Sequence, residues 1–140
     1  MTDPIKMTII LPHIPDIEIV AIKGMEHLAN HLGISDEEKI GEARILVTEA
    51  IINALEHAGD PHPDEVRIEF TMTKEKLVIF VEDHGHGFEP EKVSDPNILT
   101  KIDSPNKRGW GLKLMKSMSD DFLIESGQTG TKITMIKNLV

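Results

Sequence analysis

The sequence predicts an α+β fold: a two-layer α/β sandwich with a mixed, mainly antiparallel sheet and helices on one face. Three observations lead there. A long apolar helical pattern behind a capping signal fills residues 36 to about 57. Glu65 to Thr73 alternates apolar and polar residues, and the continuously apolar Leu77 to Val81 follows after the turn Lys74-Glu75-Lys76, which together read as a hairpin. Two more short strand patterns, Asp121 to Glu125 and Lys132 to Ile136, come near the end of the chain.

Taken in order, Lys6 to Leu11 reads as a strand that Pro12 and Pro15 end. Asp16 to Leu32 carries Ile17, Val20, Ala21, Met25, Leu28, Ala29 and Leu32 at helical period, with Gly33 as the C-cap. Ser35 and Glu38 form a capping box, so a helix starts near Asp36. It runs to His57 or Ala58, where Gly59-Asp60-Pro61 stops it. Phe88 to Arg108 is rich in Pro, Asp, Asn, Ser and Lys without a sustained period, and a loop of that length is usually functional or mobile. Gly111 to Met118 reads as a helix on Leu112, Leu114, Met115 and Met118. The final strand pair flanks Gly127-Gln128-Thr129-Gly130.

A chain of 140 residues is expected to form one domain, residues 1–140, with a core of its own. It contains no cysteine, which excludes disulfides and cysteine-based zinc sites and makes the reducing cytoplasm the expected location. The N-terminal apolar run, Ile9 to Leu11, is too short for a signal peptide, and no stretch has the 18 continuous apolar residues of a membrane span. The net charge of −9 disfavours nucleic acid, which demands a basic surface. It suits solubility and is compatible with a basic protein partner.

Three motifs carry the chemistry. The helix around Glu49 is apolar on most sides, yet Glu42, Glu49, Asn53 and Glu56 share a stripe. A buried carboxylate and amide cost several kcal/mol without partners, so the stripe faces either a wet, charged cavity or plain solvent. Next, the strand Val78-Ile79-Phe80-Val81 leads into Asp83, Gly85 and Gly87. An aspartate there can accept a hydrogen bond from an exocyclic amine, and the glycines allow close approach of a flat ring. The same pattern also occurs in surface turns. His84 and His86 read as solvent-facing residues, since no third metal ligand is spaced near them. Third, Arg108-Gly109-Trp110-Gly111-Leu112 opens a helix whose N-terminal amides can bind phosphate, unless it is a simple loop–helix junction. The lysine-containing loop before it has the character of a lid. Gly130-Thr131 adds a hydroxyl at the start of the last strand.

As a set, these residues resemble the GHKL (Bergerat-type) ATPase/kinase superfamily. Glu49 to Asn53, with His57 following, resembles its N box. Asp83, Gly85 and Gly87 resemble the first glycine box, and Arg108, Gly109 and Gly111 the second. Gly130-Thr131 resembles the small third box. Within the superfamily the strings TEAIINALEHA, VEDHGHGFEP and RGWGLKLMKSMSDDF look like the stand-alone anti-sigma factor serine/threonine kinases. The chain's length also leaves no room for a phosphoacceptor helix pair or a transducer domain.

The resemblance implies ATP and Mg²⁺ as ligands. Asn53 would coordinate the metal, and Asp83 would hold the adenine amine. Gly85, Gly87, Gly109, Gly111 and Thr131 would shape the nucleotide pocket. Glu49 would act as general base and Arg108 would stabilise the γ-phosphoryl charge. Trp110 stands where a smaller or polar residue is more usual, which sets this lid apart. The implied function is a kinase that binds a sigma factor and phosphorylates an anti-anti-sigma protein, as a homodimer. The alternative is a nucleotide-gated regulatory binding module without productive phosphoryl transfer.

Overall fold

In the computed structural model, the structure describes residues 3–57, 65–84, 108–127 and 130–140. The stop at Gly59-Asp60-Pro61, the lid segment, Gly85, His86, Gly87 and the Gln128-Thr129 tip lie outside the described residues. The elements are β1 (Ile5–Leu11), α1 (Glu18–His31), α2 (Glu37–His57), β2 (Val66–Met72), β3 (Lys76–Asp83), α3 (Arg108–Met118), β4 (Asp121–Gly127) and β5 (Gly130–Asn138). The five strands form one sheet in the order β1-β2-β3-β5-β4, and all four described pairings are antiparallel. Helices α1 and α2 pack together, and both lie against the sheet. Helix α3 packs beside α2 and against β4, where the Lys116 ammonium sits 5.8 Å from the Phe122 ring centre.

Strand alternation decides which face the helices cover. Ile68, Phe70 and Met72 of β2 stand in register with Val81, Ile79 and Leu77 of β3, and all six are buried. On β5, Ile133 and Met135 continue these rows. Helix α2 inserts Ala43, Leu46, Val47, Ala50, Ile51 and Ala54 over them. Its small alanines let the helix lie close to the sheet. Fully burying side chains the size of Phe70 or Ile79 stabilises the fold by roughly 1.5–3 kcal/mol each.

Local details depart from the sequence expectation in three places. Helix α1 begins at Glu18 rather than at Asp16, because Asp16 takes φ 62° after Pro15 and turns the chain. The cap of α2 is Asp36, not the Ser35–Glu38 box: its Oδ1 accepts the backbone N–H groups of Glu38 (3.1 Å) and Lys39 (3.2 Å). A carboxylate one residue nearer the helix reaches the same orphan donors and adds favourable charge at the positive helix end. Finally, α2 is not apolar-buried all round. Ile45 and Ile52, seven residues apart, are each 37% exposed and form a narrow outward stripe. Gly33 follows α1 with φ 74°, as expected, and α2 runs to His57, the last described residue before Glu65.

One ion pair fixes how the layers meet. Lys137 of β5 lies on the buried face, and its ammonium donates to Glu42 of α2 and to the carbonyl of Met118, the last residue of α3. At the other end of α3, a Cβ added to Gly111 would stand 3.1 Å from Glu49 Oε2. Glu42 to Glu49 is seven residues, and Gly111 to Met118 is also seven, each two turns or about 10.5 Å. The two helices therefore run antiparallel, side by side, with one contact at each end. Lys137 stands at the far end of β5 from Thr131, six residues or about 20 Å away. Asn53 lies eleven residues along α2 from Glu42, about 16 Å. The C-terminal half of α2 is thereby carried toward the sheet end where β3 finishes and β5 begins.

Gly130 fixes that sheet end. Its φ is 132°, and a Cβ there would lie 2.0 Å from the Asp83 carbonyl oxygen. No side chain fits without moving the β3–β5 pairing. Gly130→Ala is expected to destabilise the protein by about 2–4 kcal/mol, combining backbone strain with overpacking. Urea unfolding followed by circular dichroism measures this, and an unchanged midpoint would contradict the close approach.

Candidate functional site

Four polar side chains are buried among the described residues: Asn53, Asp83, Thr131 and Lys137. Lys137 is accounted for by Glu42 and Met118. The other three belong to the opposite end of the helix–sheet layer, and each comes from a different element.

Asn53 sits in α2 among Ala50, Ile51 and Ala54, only 5% exposed. Its Nδ2 is buried and has no hydrogen-bond partner. An unmet buried donor costs about 1–3 kcal/mol, so this amide is costly unless a ligand meets it. A 180° turn of the amide presents Oδ1 in place of Nδ2, so the same position serves as acceptor or donor. One turn earlier, Glu49 is half-buried and lies against the first turn of α3 at Gly111. A larger residue than glycine at 111 would press on the carboxylate.

Asp83 is the last residue of β3, on the helix-covered face, and 3% exposed. Strand alternation puts it there: Leu77, Ile79 and Val81 precede it at period two. A carboxylate at the end of an apolar row is placed by the pleat rather than by its own preference for water. Directly across the ladder is Thr131 of β5, 1% exposed. Thr131 is also in register with Ser126 of β4, and their hydroxyls are 2.7 Å apart. The hydroxyl pair ties β4 to β5 at the same end. Ser126 was not expected from the sequence; its only signal is its register two residues before the hairpin tip.

Arg108, Gly109 and Trp110 form the first turn of α3, which starts three residues earlier than the apolar period indicates. The second glycine pair thus lies inside the helix rather than before it. The eleven residues of α3 supply a helix N-terminus at the site, whose first-turn amides have no partner within the helix and carry a partial positive charge. Glu56 is exposed, and Glu42 is taken up by Lys137, so only Glu49 and Asn53 of the expected stripe face the site. Lys137 was also missed: its strand was expected to end at Ile136. Yet Ile133, Met135 and Lys137 share one parity, which was the available signal. His84 is exposed at the end of β3.

A groove of about 500 Å³ opens at this sheet end, and Asp83 and Ser126 line it together with Glu82, His84, Glu125 and Lys132, so it reaches the edge of the polar cluster. Glu82, Glu125 and Lys132 belong to the opposite, open face of the sheet, where Glu82 and Lys132 pair at 3.7 Å. The buried polar cluster, by contrast, faces the helices. Chemically, that cluster combines an unmet amide, a buried carboxylate, a hydroxyl pair, and a second carboxylate beside a helix N-terminus. Such an arrangement suits a ligand with a hydrogen-bonding ring at one end and phosphates at the other.

Comparison with known proteins agrees with this geometry. The family model described as the histidine kinase-like ATPase domain matches residues 19–137. The serine-protein kinase RsbW of Oceanobacillus iheyensis is 31% identical over 132 residues, covering 91% of this chain and 82% of that protein. The anti-sigma F factor of Clostridium novyi is 31% identical over 104 residues, 73% of each chain. Among solved structures, the histidine kinase domain of the Erythrobacter litoralis EL346 blue-light activated kinase superposes with a TM-score of 0.55 at 18% identity. That superposition covers 98% of this chain and 68% of the other. With a sheet, helix layer and polar cluster of this kind, and a family match spanning both, the chain belongs to the histidine kinase-like ATPase domain family.

Proposed function

We propose that this chain is an ATP-dependent serine/threonine protein kinase that acts as an anti-sigma factor. In this reading it works in the cytoplasm as a single ATPase-type domain, holding a sigma factor and phosphorylating an anti-anti-sigma protein. The observation that carries the proposal is the orphaned, buried amide of Asn53, one turn from a carboxylate that abuts a helix N-terminus. The names of the two relatives, a serine-protein kinase and an anti-sigma F factor, support it. Among the described residues no helix is long and apolar enough to cross a membrane.

The residues fit a Mg²⁺–ATP complex. Asn53 would hold the ion through its amide oxygen, with the side-chain amide turned so that Oδ1 takes the place of the unmet Nδ2. That suits Mg²⁺, which usually takes one or two protein groups and completes its shell with phosphates and water. When bound, the ion supplies neutralisation of phosphate charge. Asp83 accepts a hydrogen bond from the adenine amine, in a place where burial discriminates against bases without that donor. The Thr131–Ser126 hydroxyl pair steadies the adjoining sheet end. Backbone amides in the first turn of α3, with Arg108, Gly109 and Gly111, meet the phosphates. Gly85 and Gly87, outside the described residues, would shape the same pocket by family resemblance.

Glu49 takes the proton from the substrate serine hydroxyl as the oxygen attacks the γ-phosphorus and ADP departs. The glycine at 111 leaves room for the carboxylate beside the first turn of α3, and partial burial limits its exposure to bulk water. Arg108 offsets charge on the transferring group.

The chain is also proposed to act as a homodimer. Ile14, Ile19 and Val20, each 50% exposed, lie close in sequence where the edge strand β1 leads into α1, and this supports it.

Three outcomes check these proposals. Glu49→Gln should retain Mg-ATP affinity but lower phosphoryl transfer by about 10²–10⁴-fold. Asn53→Ala should lose nucleotide binding as well. Radiolabel transfer to a co-purified partner distinguishes them, and rapid transfer by Glu49→Gln would remove Glu49 as the base. A wild-type chain that holds its partner in an ATP-dependent way yet transfers nothing would instead be the nucleotide-gated binding module. Asp83→Ala should weaken ATP binding by roughly 1.5–3 kcal/mol in calorimetry, and unchanged affinity would refute the adenine assignment. Light scattering should give twice the 15.6 kDa chain mass, and a monomer at every concentration would contradict the dimer.

A further inference from the structure

The C-terminus of α3 is pinned far more firmly than a helix end requires. The Ser119 N–H and hydroxyl both donate to the Met115 carbonyl, at 3.1 and 2.6 Å. Asp120 N–H donates to the Ile136 carbonyl (2.7 Å), and Asn138 N–H donates to Asp120 Oδ2 (2.6 Å). The Lys137 ammonium donates to the Met118 carbonyl (2.8 Å) and to Glu42. The first four of these bonds hold α3 to its own next turn and to β5. Of these bonds, those of the Lys137 ammonium are the ones that reach α2.

A buried ion pair is weak evidence for stability, because desolvation offsets much of the attraction. A lysine side chain at 5% exposure therefore calls for another role. Its geometry supplies one. Glu42 and Glu49 lie two turns apart on α2, while Met118 and Gly111 lie two turns apart on α3. Fixing one end of this antiparallel pair fixes the other, since helices are stiff over two turns. A slip of α3 by one residue would move Gly111 about 1.5 Å along Glu49. Gly111 leaves beside Glu49 Oε2 a space that even a Cβ would fill to 3.1 Å, so a slip that carried a side chain such as that of Leu112 toward it would turn the carboxylate.

We propose that Lys137 is a positioning residue for phosphoryl transfer: through Glu42 and the Met118 carbonyl it sets the register of α3 on α2, and so the orientation of Glu49. This rests on the kinase reading above. It predicts an effect on transfer that is separable from nucleotide affinity and from folding.

The test compares wild type, Glu42→Gln, and the double variant Lys137→Met/Glu42→Gln. Glu42→Gln alone keeps an acceptor for Lys137 and keeps the Met118 bond but leaves the buried ammonium without its counter-charge, so its melting temperature should fall while its transfer rate, measured on folded protein, falls less than that of the double variant. The double variant removes both charges together, which usually leaves stability little changed. Its melting temperature and ATP affinity should stay near wild type, while kcat for transfer falls roughly 10- to 100-fold, the scale of an ångström-sized misplacement.

A second measurement does not depend on activity. In ¹H–¹⁵N spectra the Gly111 amide should shift when Glu49→Gln is introduced into wild type, and should no longer do so in the double variant. Unchanged transfer with an unchanged Gly111 response would make Lys137 a packing residue and overturn the proposal. So would a fall in transfer that merely tracks a fall in ATP affinity. If wild type transfers no phosphate, the kinase reading falls, and the Gly111–Glu49 response alone decides whether Lys137 sets the helix register.

Discussion

The antiparallel contact between α2 and α3 is the constraint on which the rest of the molecule depends. Helix α2 is the only described helix that touches β2, β3, β5 and both other helices. Its alanines bring it close to the sheet, and its position is set at one end by the Glu42–Lys137 pair. Once α2 is laid down in this direction, Asn53 must reach the sheet end where Asp83 and Thr131 stand opposite each other. Helix α3 then has only one way to lie that satisfies Met118 at one end and spares Glu49 at the other. The site is a consequence of how two layers are aligned rather than of any one loop.

Polar groups are buried here by the geometry of regular elements. Asp83 and Lys137 occupy the inward parity of adjacent strands at opposite ends of one sheet, separated by apolar rows. Lys137 meets a carboxylate and a carbonyl within the described residues, whereas the Asn53 amide keeps an unmet donor. The contrast separates structural from ligand-directed polarity: one end of the layer is closed by the protein's own groups, and the other keeps capacity for something else.

Much of this was legible in the sequence. The hairpin of β2 and β3 followed from alternation and the course of α2 from its apolar pattern, while the site roles of Glu49, Asn53 and Asp83 were expected from the family resemblance. What escaped had physical reasons. Asp36 displaced Ser35 as cap because both can accept the same amides and only the folded backbone selects between them. The start of α3 was hidden because Arg108, Gly109 and Trp110 carry no apolar period. Lys137 and Ser126 were invisible as site-forming residues because their roles arise from register across strands, which no single segment encodes. The approach of Gly111 to Glu49 joins residues more than sixty positions apart and could be expected only through family resemblance.

The order of the strands has a further consequence for how the protein assembles. Pairings β2–β3 and β4–β5 join neighbours in sequence, so each can close early at small entropic cost. The β3–β5 seam is different, because α3 and a long connection lie between its strands. Non-local pairings of this kind are the slow part of folding. Asp83 and Thr131 face each other across that seam, at its end. The ligand-facing end of the molecule is thus stitched together by one of its two long-range seams, β1–β2 being the other, and anything bound across it would act as a clamp between segments that can otherwise form apart.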